Sequence, residues 1–261
     1  MIPIFDSLSH PTISSHWLKT DLNSSFQGLN NSLSESGFIG AAAVGIHGIE
    51  DYGHENFIHH CDKYDLLYPV AGFDLNIDNI KKELLIIKEL GYSAIKLHPR
   101  FNKFNIEKNE RLSEIFKHAY QLDLVVFFCS YMHTEIISYP SFDPFYQLIK
   151  ILKKSPNLKL VIVHGGDVNL LKYAELVRFN DNLLLDLSMT MLKYKGSSID
   201  NDIKFLFSNF DRRICIGTDH PEYSHEDLRT YFDSLIENLE SHRAENIGYK
   251  NIMKFLKLNK K

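Results

Sequence analysis

The stretch Leu158-Lys159-Leu160-Val161-Ile162-Val163-His164-Gly165-Gly166-Asp167 joins an apolar run, rich in β-branched residues, to a polar ending. Seven other short apolar runs occur along the chain. Together the eight runs cover residues 2–5, 38–44, 67–72, 93–97, 124–128, 158–163, 183–187 and 214–217. Strands that read as near-continuous apolar runs are typical of parallel sheets that are buried on both faces. The pattern therefore predicts repeated βα units.

Helical segments separate most of these runs. The clearest has Ile80, Leu84, Ile87 and Leu90 at helical spacing and stops at Gly91. We expect helices at about residues 22–35, 77–90, 111–120, 145–152, 168–179, 203–210, 226–239 and 244–256. Because no Pro/Gly/Ser-rich linker interrupts the alternation, it favours a single (β/α)8 TIM barrel, one domain over residues 1–261. A doubly wound open sheet is the alternative.

The composition excludes several classes of protein. Hydrophobic residues make up 44% and charged residues 24% of the 261 residues, which is typical of globular proteins. A formal net charge of −4 gives no basic footprint for nucleic acid. No apolar run approaches the roughly 18 to 20 residues of a membrane-spanning helix, and the N-terminus does not resemble a signal peptide. The three cysteines form no C-x-x-C pair, so we expect a reducing compartment, the cytoplasm.

Polar residues stand at five of the predicted strand ends, where the active sites of TIM barrels lie. The candidates are Asp6 and His10 after the first strand, Lys96, His98 and Arg100 at the fourth, Cys129 at the fifth, His164 at the sixth and Asp219 at the eighth. A carboxylate at the end of a buried strand is costly unless it is paired, hydrogen-bonded or bound to metal, so Asp219 is a functional candidate. Lys96 fits either an ion pair or a ligand-binding role. Cys129 fits either a nucleophile or an inert packed thiol.

Two further expectations concern the mouth of the barrel. Asp6, Leu8 and His10 lie two residues apart, so an extended first strand would point them to one face. The connection over residues 129–142 is long and rich in aromatic residues, among them Tyr131, Tyr139 and Phe142, which is typical of a lid.

The set of strand ends resembles the amidohydrolase superfamily, and within it the amidohydrolase-related group of hydrolases, decarboxylases and a metal-free lactonase. The matching segments are Asp6 to His10, Ile95-Lys96-Leu97-His98-Pro99, Val163-His164-Gly165-Gly166 and Ile216-Gly217-Thr218-Asp219-His220-Pro221. The segment from Gly248 to Phe255 also resembles the closing helix of that family. The resemblance runs through most of the chain and implies a TIM barrel of the metal-dependent-hydrolase type.

The resemblance implies a hydrolase that acts on a C–N or C–O bond (amide, lactone or ester-like) of a small anionic molecule. Asp219 would take a proton from water, His164 would stabilise the developing negative charge, and His98, Arg100 and Lys96 would bind the substrate. The implied ligands of a divalent metal, zinc above all, are His10, Cys129 and Asp219.

The chain departs from the family at two metal positions. Leu8 stands where the family usually has the first histidine of His-x-His, and Cys129 stands where a histidine ligand is usual. The alternatives are therefore a metal-independent lactonase-like hydrolase, a decarboxylase, and a non-catalytic ligand-binding barrel. A small-molecule substrate is the expected partner, with no nucleic acid and no membrane. The sequence leaves the substrate and any homo-oligomer open.

Overall fold

The chain folds into a barrel of eight parallel strands. The structure, a computed structural model, describes residues 1–49, 51–106, 109–133 and 143–258. The strands are β1 (Ile4–Ser9), β2 (Phe38–Val44), β3 (Leu67–Phe73), β4 (Ala94–Leu97), β5 (Val125–Cys129), β6 (Leu160–Val163), β7 (Leu183–Asp186) and β8 (Ile214–Cys215). Their order in the sheet follows their order in the sequence, and a parallel bridge between Ser9 and His220 joins the last segment to the first. The predicted TIM barrel is confirmed, and the doubly wound alternative is wrong.

Helices follow the strands and cover the outside of the barrel. They are α1 (Phe26–Glu35), α2 (His54–Cys61), α3 (Ile80–Glu89), α4 (Asn109–Gln121), α5 (Pro144–Leu152), α6 (Leu170–Arg178), α7 (Thr190–Lys193), α8 (Ser198–Asn209), α9 (His225–Ile236), α10 (Ser241–Glu245) and α11 (Asn251–Phe255). The first helix begins later than predicted, because Ser25 caps it by accepting a hydrogen bond from the Gly28 N–H at 3.0 Å. The helix α2 was not predicted from the sequence.

Two apolar layers hold the barrel together, and successive residues of a strand alternate between them. Val126 and Phe128 of β5 pack outward against the helices, whereas Val125 and Phe127 fill the interior. The interior cluster also contains Ile252 and Phe255 of α11. This helix therefore closes the end of the barrel opposite the mouth.

The first strand is irregular, and this irregularity overturns the prediction that Asp6, Leu8 and His10 share one face. The pairing of β1 with β2 shifts register between Asp6 and Ser9, and Phe5 and Leu8 both join the interior cluster. The Asp6 carboxylate lies against α9 instead, with one oxygen 3.0 Å from Nε2 of His225. Asp6 is therefore a buried structural carboxylate outside the mouth.

None of the helices in the described ranges is both long enough and apolar enough to cross a membrane.

Candidate active site

Six buried polar side chains meet at the mouth of the barrel, at the carboxyl ends of five strands. They are His10, Lys96, His98, Cys129, His164 and Asp219, and each is at most 8% exposed. Burying polar and charged groups is unfavourable unless they are paired. The structure therefore brings these six predicted residues together at one end of the barrel, and their functional roles stay a prediction.

His10 and Asp219 form the closest pair of this set. Nε2 of His10 lies 3.3 Å from Oδ1 of Asp219, and the opposite ring nitrogen, Nδ1, lies 2.8 Å from the carbonyl oxygen of Val44. A carbonyl oxygen can only accept, so Nδ1 carries a proton and Nε2 is the nitrogen that faces the carboxylate. The ring of Trp17 stacks on His10 with centroids 5.4 Å apart and planes 9° apart. These contacts fix the orientation of the imidazole.

Asp219 is held ionised by its surroundings. Burial alone would raise the pKa of its carboxyl, but the charge on His164, the hydrogen bond and charge of His10 and the charge on Lys96 outweigh burial and hold the pKa well below its ordinary value. The backbone N–H of Asp219 donates to the carbonyl oxygen of Leu8 at 2.9 Å, at a φ of 59°. At neutral pH the site therefore presents a fixed carboxylate that accepts hydrogen bonds.

Cys129 lies between His98 and His164. Burial raises the pKa of the thiol, but the charge on His98, the hydrogen bonds from both imidazoles and the charge on Lys96 bring it well below its ordinary value. Burial lowers the pKa of His164, but the negative charges of Asp219 and Cys129 reverse that effect, so that the pKa of His164 is raised. Its Nδ1 lies 3.1 Å from the carbonyl oxygen of Ser188. The raised pKa favours the protonated, positively charged form of His164 beside Asp219 and Cys129.

The metal-ligand set implied by the resemblance is only partly assembled. His10 and Asp219 lie side by side, but no three His, Cys, Asp or Glu side chains among the described residues come close enough to hold an ion. Cys129 contacts the two imidazoles described above, and Leu8, in the position of the missing histidine, packs in the barrel interior. The residues present do not fit a metal centre, so no chemical step is derived through a metal. Metal binding by His10, Cys129 and Asp219 stays a prediction.

Two cationic side chains, Arg100 and Lys193, lie beside Tyr131 at the mouth and are called the positive rim below. The Arg100 guanidinium lies 5.0 Å and the Lys193 ammonium 4.5 Å from the centroid of the Tyr131 ring. Asp167 anchors this rim: it lies 3.2 Å from Lys193 Nζ and 2.8 Å from His133 Nε2. The predicted binding residue Arg100 is therefore at the rim.

Lys193, Asp167 and Trp17 were not predicted from the sequence as parts of the site. Lys193 lies on the short helix after β7, a strand whose end was given no candidate residue in the sequence analysis. Trp17 is the chain's single tryptophan, and that was the only feature of the sequence that could have pointed to it. The predicted lid aromatics Tyr139 and Phe142 lie outside the described residues, as do the others in 134–142.

Comparison with known proteins shows the fold and little sequence similarity. No protein-family profile matches the chain, and no curated protein matches it. Solved structures do. A probable 2-pyrone-4,6-dicarboxylic acid hydrolase from Acinetobacter baumannii, with citric acid bound, shares 16% identity at a TM-score of 0.71, over 98% of this chain and 100% of that one. An uncharacterised TIM-barrel protein from Bordetella bronchiseptica shares 15% identity at a TM-score of 0.80, over 98% and 99%. An amidohydrolase from Burkholderia multivorans with bound zinc shares 12% identity at a TM-score of 0.65, over 98% and 100%. At sequence identities of 12% to 16%, these similarities show a shared fold and nothing further.

Proposed function

We propose that this chain is a hydrolase that cleaves a C–N or C–O bond, in an amide, lactone or ester-like group, of a small anionic molecule at the mouth of the barrel. The observation that carries the proposal is the buried, ionised Asp219 between His10 and the positively charged His164. The similar structure described as a probable dicarboxylic acid hydrolase supports the same class of reaction and an anionic substrate.

Asp219 serves as the general base for a water molecule. As its carboxylate takes a proton from the water, the water oxygen attacks the carbonyl carbon and the C=O π pair moves onto the carbonyl oxygen. His164 stabilises that developing negative charge through its own positive charge. When the tetrahedral intermediate collapses, the C–N or C–O bond breaks and the leaving nitrogen or oxygen takes the proton back from Asp219.

The positive rim explains why the substrate should be anionic. Arg100 and Lys193 lie over the Tyr131 ring, at 5.0 Å and 4.5 Å from its centroid, where they can meet a carboxylate as it enters. Deeper in the mouth, Lys96 and His98 are at most 6% exposed and can bind the substrate only after it has lost its water. The substrate is therefore expected to carry at least one carboxylate beside the bond that is cleaved.

The setting of the enzyme is part of the proposal. Cys61, Cys129 and Cys215 are free and buried, which is consistent with a reducing compartment such as the cytoplasm. A small molecule is the proposed partner, bound by one domain. The similar structure with bound zinc favours a test of metal content as well as of activity.

The test is turnover of 2-pyrone-4,6-dicarboxylate and related lactones and amides by the wild-type chain, followed by loss of the ring absorbance. Asp219→Asn should lower kcat/KM by about 10²- to 10⁴-fold, because the variant keeps the shape of the base but cannot take a proton. Asp181→Asn is the matched control, since the Asp181 side chain is 83% exposed and pairs with Arg213 at the surface. Unchanged turnover in Asp219→Asn would show that the assigned base is wrong.

A further inference from the structure

Lys96 is a buried lysine at the centre of the mouth whose ammonium has no hydrogen-bond partner in the described part of the chain. It belongs to β4, where Ala94 packs in the barrel interior and Lys96, two residues on, points the same way. The residue is 1% exposed, and Nζ finds no donor or acceptor partner among the described residues. An unpaired buried ammonium is unfavourable, so the fold retains it against a cost.

Acidic groups at the ends of three other strands, β5, β7 and β8, act on this ammonium. Burial lowers the pKa of Lys96, and the opposing charges of Cys129, Asp219 and Asp186 offset only part of that effect. None of the described carboxylate oxygens comes within ion-pairing distance of Nζ. Asp219 instead pairs with His10, and Asp186 accepts hydrogen bonds from two serine hydroxyls. The three N–H groups of Lys96 therefore point into the site and remain available.

The metal-ligand set is incomplete at the same place. Of the implied ligands only His10 and Asp219 meet, at 3.3 Å, and Leu8 fills the position of a third with an apolar side chain that is 0% exposed. With only these two ligands together, the site has one protein ligand fewer than the three of a catalytic zinc centre. It nevertheless concentrates anions that require a positive charge nearby.

We propose that the Lys96 ammonium is the fixed cation of this site, standing in for the metal ion, and that its free N–H groups bind the carbonyl or carboxylate oxygen of the anionic substrate. This inference rests on the proposed function for the identity of the reaction, but not for the binding itself. During attack on the carbonyl carbon, the π pair moves onto the oxygen held by Lys96 Nζ. No bond to Lys96 forms or breaks.

The first test is binding of citrate, a polycarboxylate probe, measured by calorimetry without any turnover. Lys96→Met keeps the length and apolar stem of the side chain and removes the charge, so citrate should bind at least about tenfold more weakly than to the wild type. Lys81→Met, at an exposed position of α3, is the matched control and should bind citrate as the wild type does. Equal affinity in Lys96→Met and wild type would overturn the proposal.

The second test asks whether a zinc ion can bind at this site once the charge of Lys96 is removed. Wild type and Leu8→His should each retain less than about a tenth of an equivalent of zinc after dialysis, because Lys96 repels the ion, whereas Leu8→His combined with Lys96→Met should bind about one equivalent. A full equivalent of zinc in the wild type, or in Leu8→His alone, would contradict the role of Lys96. So would a double variant that stays empty.

The design separates failure of the inference from failure of the proposed function. Neither test uses catalysis, so a chain that hydrolyses nothing can still pass both, and an active chain can fail both. Circular dichroism melting establishes that each variant is folded. If Lys96→Met does not fold, Lys96→Gln replaces it in both tests, with the same expected results.

Discussion

The pattern of residues predicted which side chains lie at the strand ends, but it did not predict the direction in which Asp6 points. His98 and His164 follow apolar runs directly, His10 and Asp219 follow within a few residues, and the closed barrel brings the ends of those runs together, as the sequence predicted. The orientation of Asp6 could not be predicted in the same way, because a register shift changes the face of each later residue and leaves no mark in the alternation.

Asp167 gives a test of the rim that does not depend on the substrate. Its side chain is 1% exposed and receives a hydrogen bond from the Tyr194 hydroxyl at 2.9 Å, beside its ion pairs with Lys193 and His133. Asp167→Asn should lower the free energy of unfolding by about 1 to 3 kcal/mol, because a neutral amide loses the charge attraction to Lys193 and accepts the hydrogen bond of Tyr194 more weakly than the buried carboxylate does. Urea denaturation measures this cost.

The surface pair of Asp181 with Arg213 is the control for that experiment. Asp181→Asn removes an exposed carboxylate and should change the free energy of unfolding by less than about 1 kcal/mol. If the two variants lose the same free energy of unfolding, Asp167 is not the anchor of the rim.

The turn after β6 places His164 in the mouth. Four consecutive residues, His164, Gly165, Gly166 and Asp167, have φ between 54° and 81°, a region that side chains other than glycine rarely adopt. Gly165 and Gly166 adopt this conformation without the steric cost of a Cβ, which at either position would lie within 3 Å of a neighbouring side chain. The positive φ of His164 and Asp167 could not be predicted, because neither residue type requires it.

Alanine substitutions at Gly166 and Gly196 separate the cost of a positive φ from the cost of a steric clash. Both have a φ of +81°, but a Cβ at Gly166 would lie 2.0 Å from Cδ2 of Tyr173, whereas at Gly196 nothing lies within 4 Å. Gly196→Ala should cost about 1 to 2 kcal/mol of unfolding free energy through φ alone. Gly166→Ala should cost about 1 to 3 kcal/mol more through the clash.

Urea denaturation of the two alanine variants gives the comparison. Equal losses would mean that Tyr173 moves aside without cost and that the turn after β6 is looser than its contacts indicate. A larger loss in Gly166→Ala should be accompanied by weaker citrate binding, because the same turn positions His164.

The barrel as a whole was the part best predicted from the sequence. Eight apolar runs gave eight strands in sequential order, because a strand buried on both faces needs a continuous apolar run. The helix α2 was missed because His54–Cys61 contains only two buried apolar positions, Phe57 and Cys61, which are too few to set a period. That the chain unfolds as one domain stays a prediction.

Ile252 of α11 tests that prediction from the closed end of the barrel. It is 0% exposed within the interior cluster, so Ile252→Ala should lower the free energy of unfolding by about 2 to 5 kcal/mol. Scanning calorimetry should show a single transition that moves to lower temperature without splitting.

Leu85→Ala is the control, since Leu85 lies on the outer helix α3 and is 37% exposed. It should shift the transition much less, by the equivalent of under about 1.5 kcal/mol. Two separate transitions in either variant would contradict a single cooperative domain.

The stacking of Trp17 on His10 gives this chain an optical reporter of its own. Trp17 is the sole source of indole emission, is 4% exposed, and holds its ring 5.4 Å from the imidazole that pairs with Asp219. Indole emission responds to charge and polarity at such short range. Binding of a compound near His10 should therefore change the fluorescence of Trp17, without a dye, a coupled reaction or an identified substrate. Chemical libraries can be screened in this way on the unmodified chain.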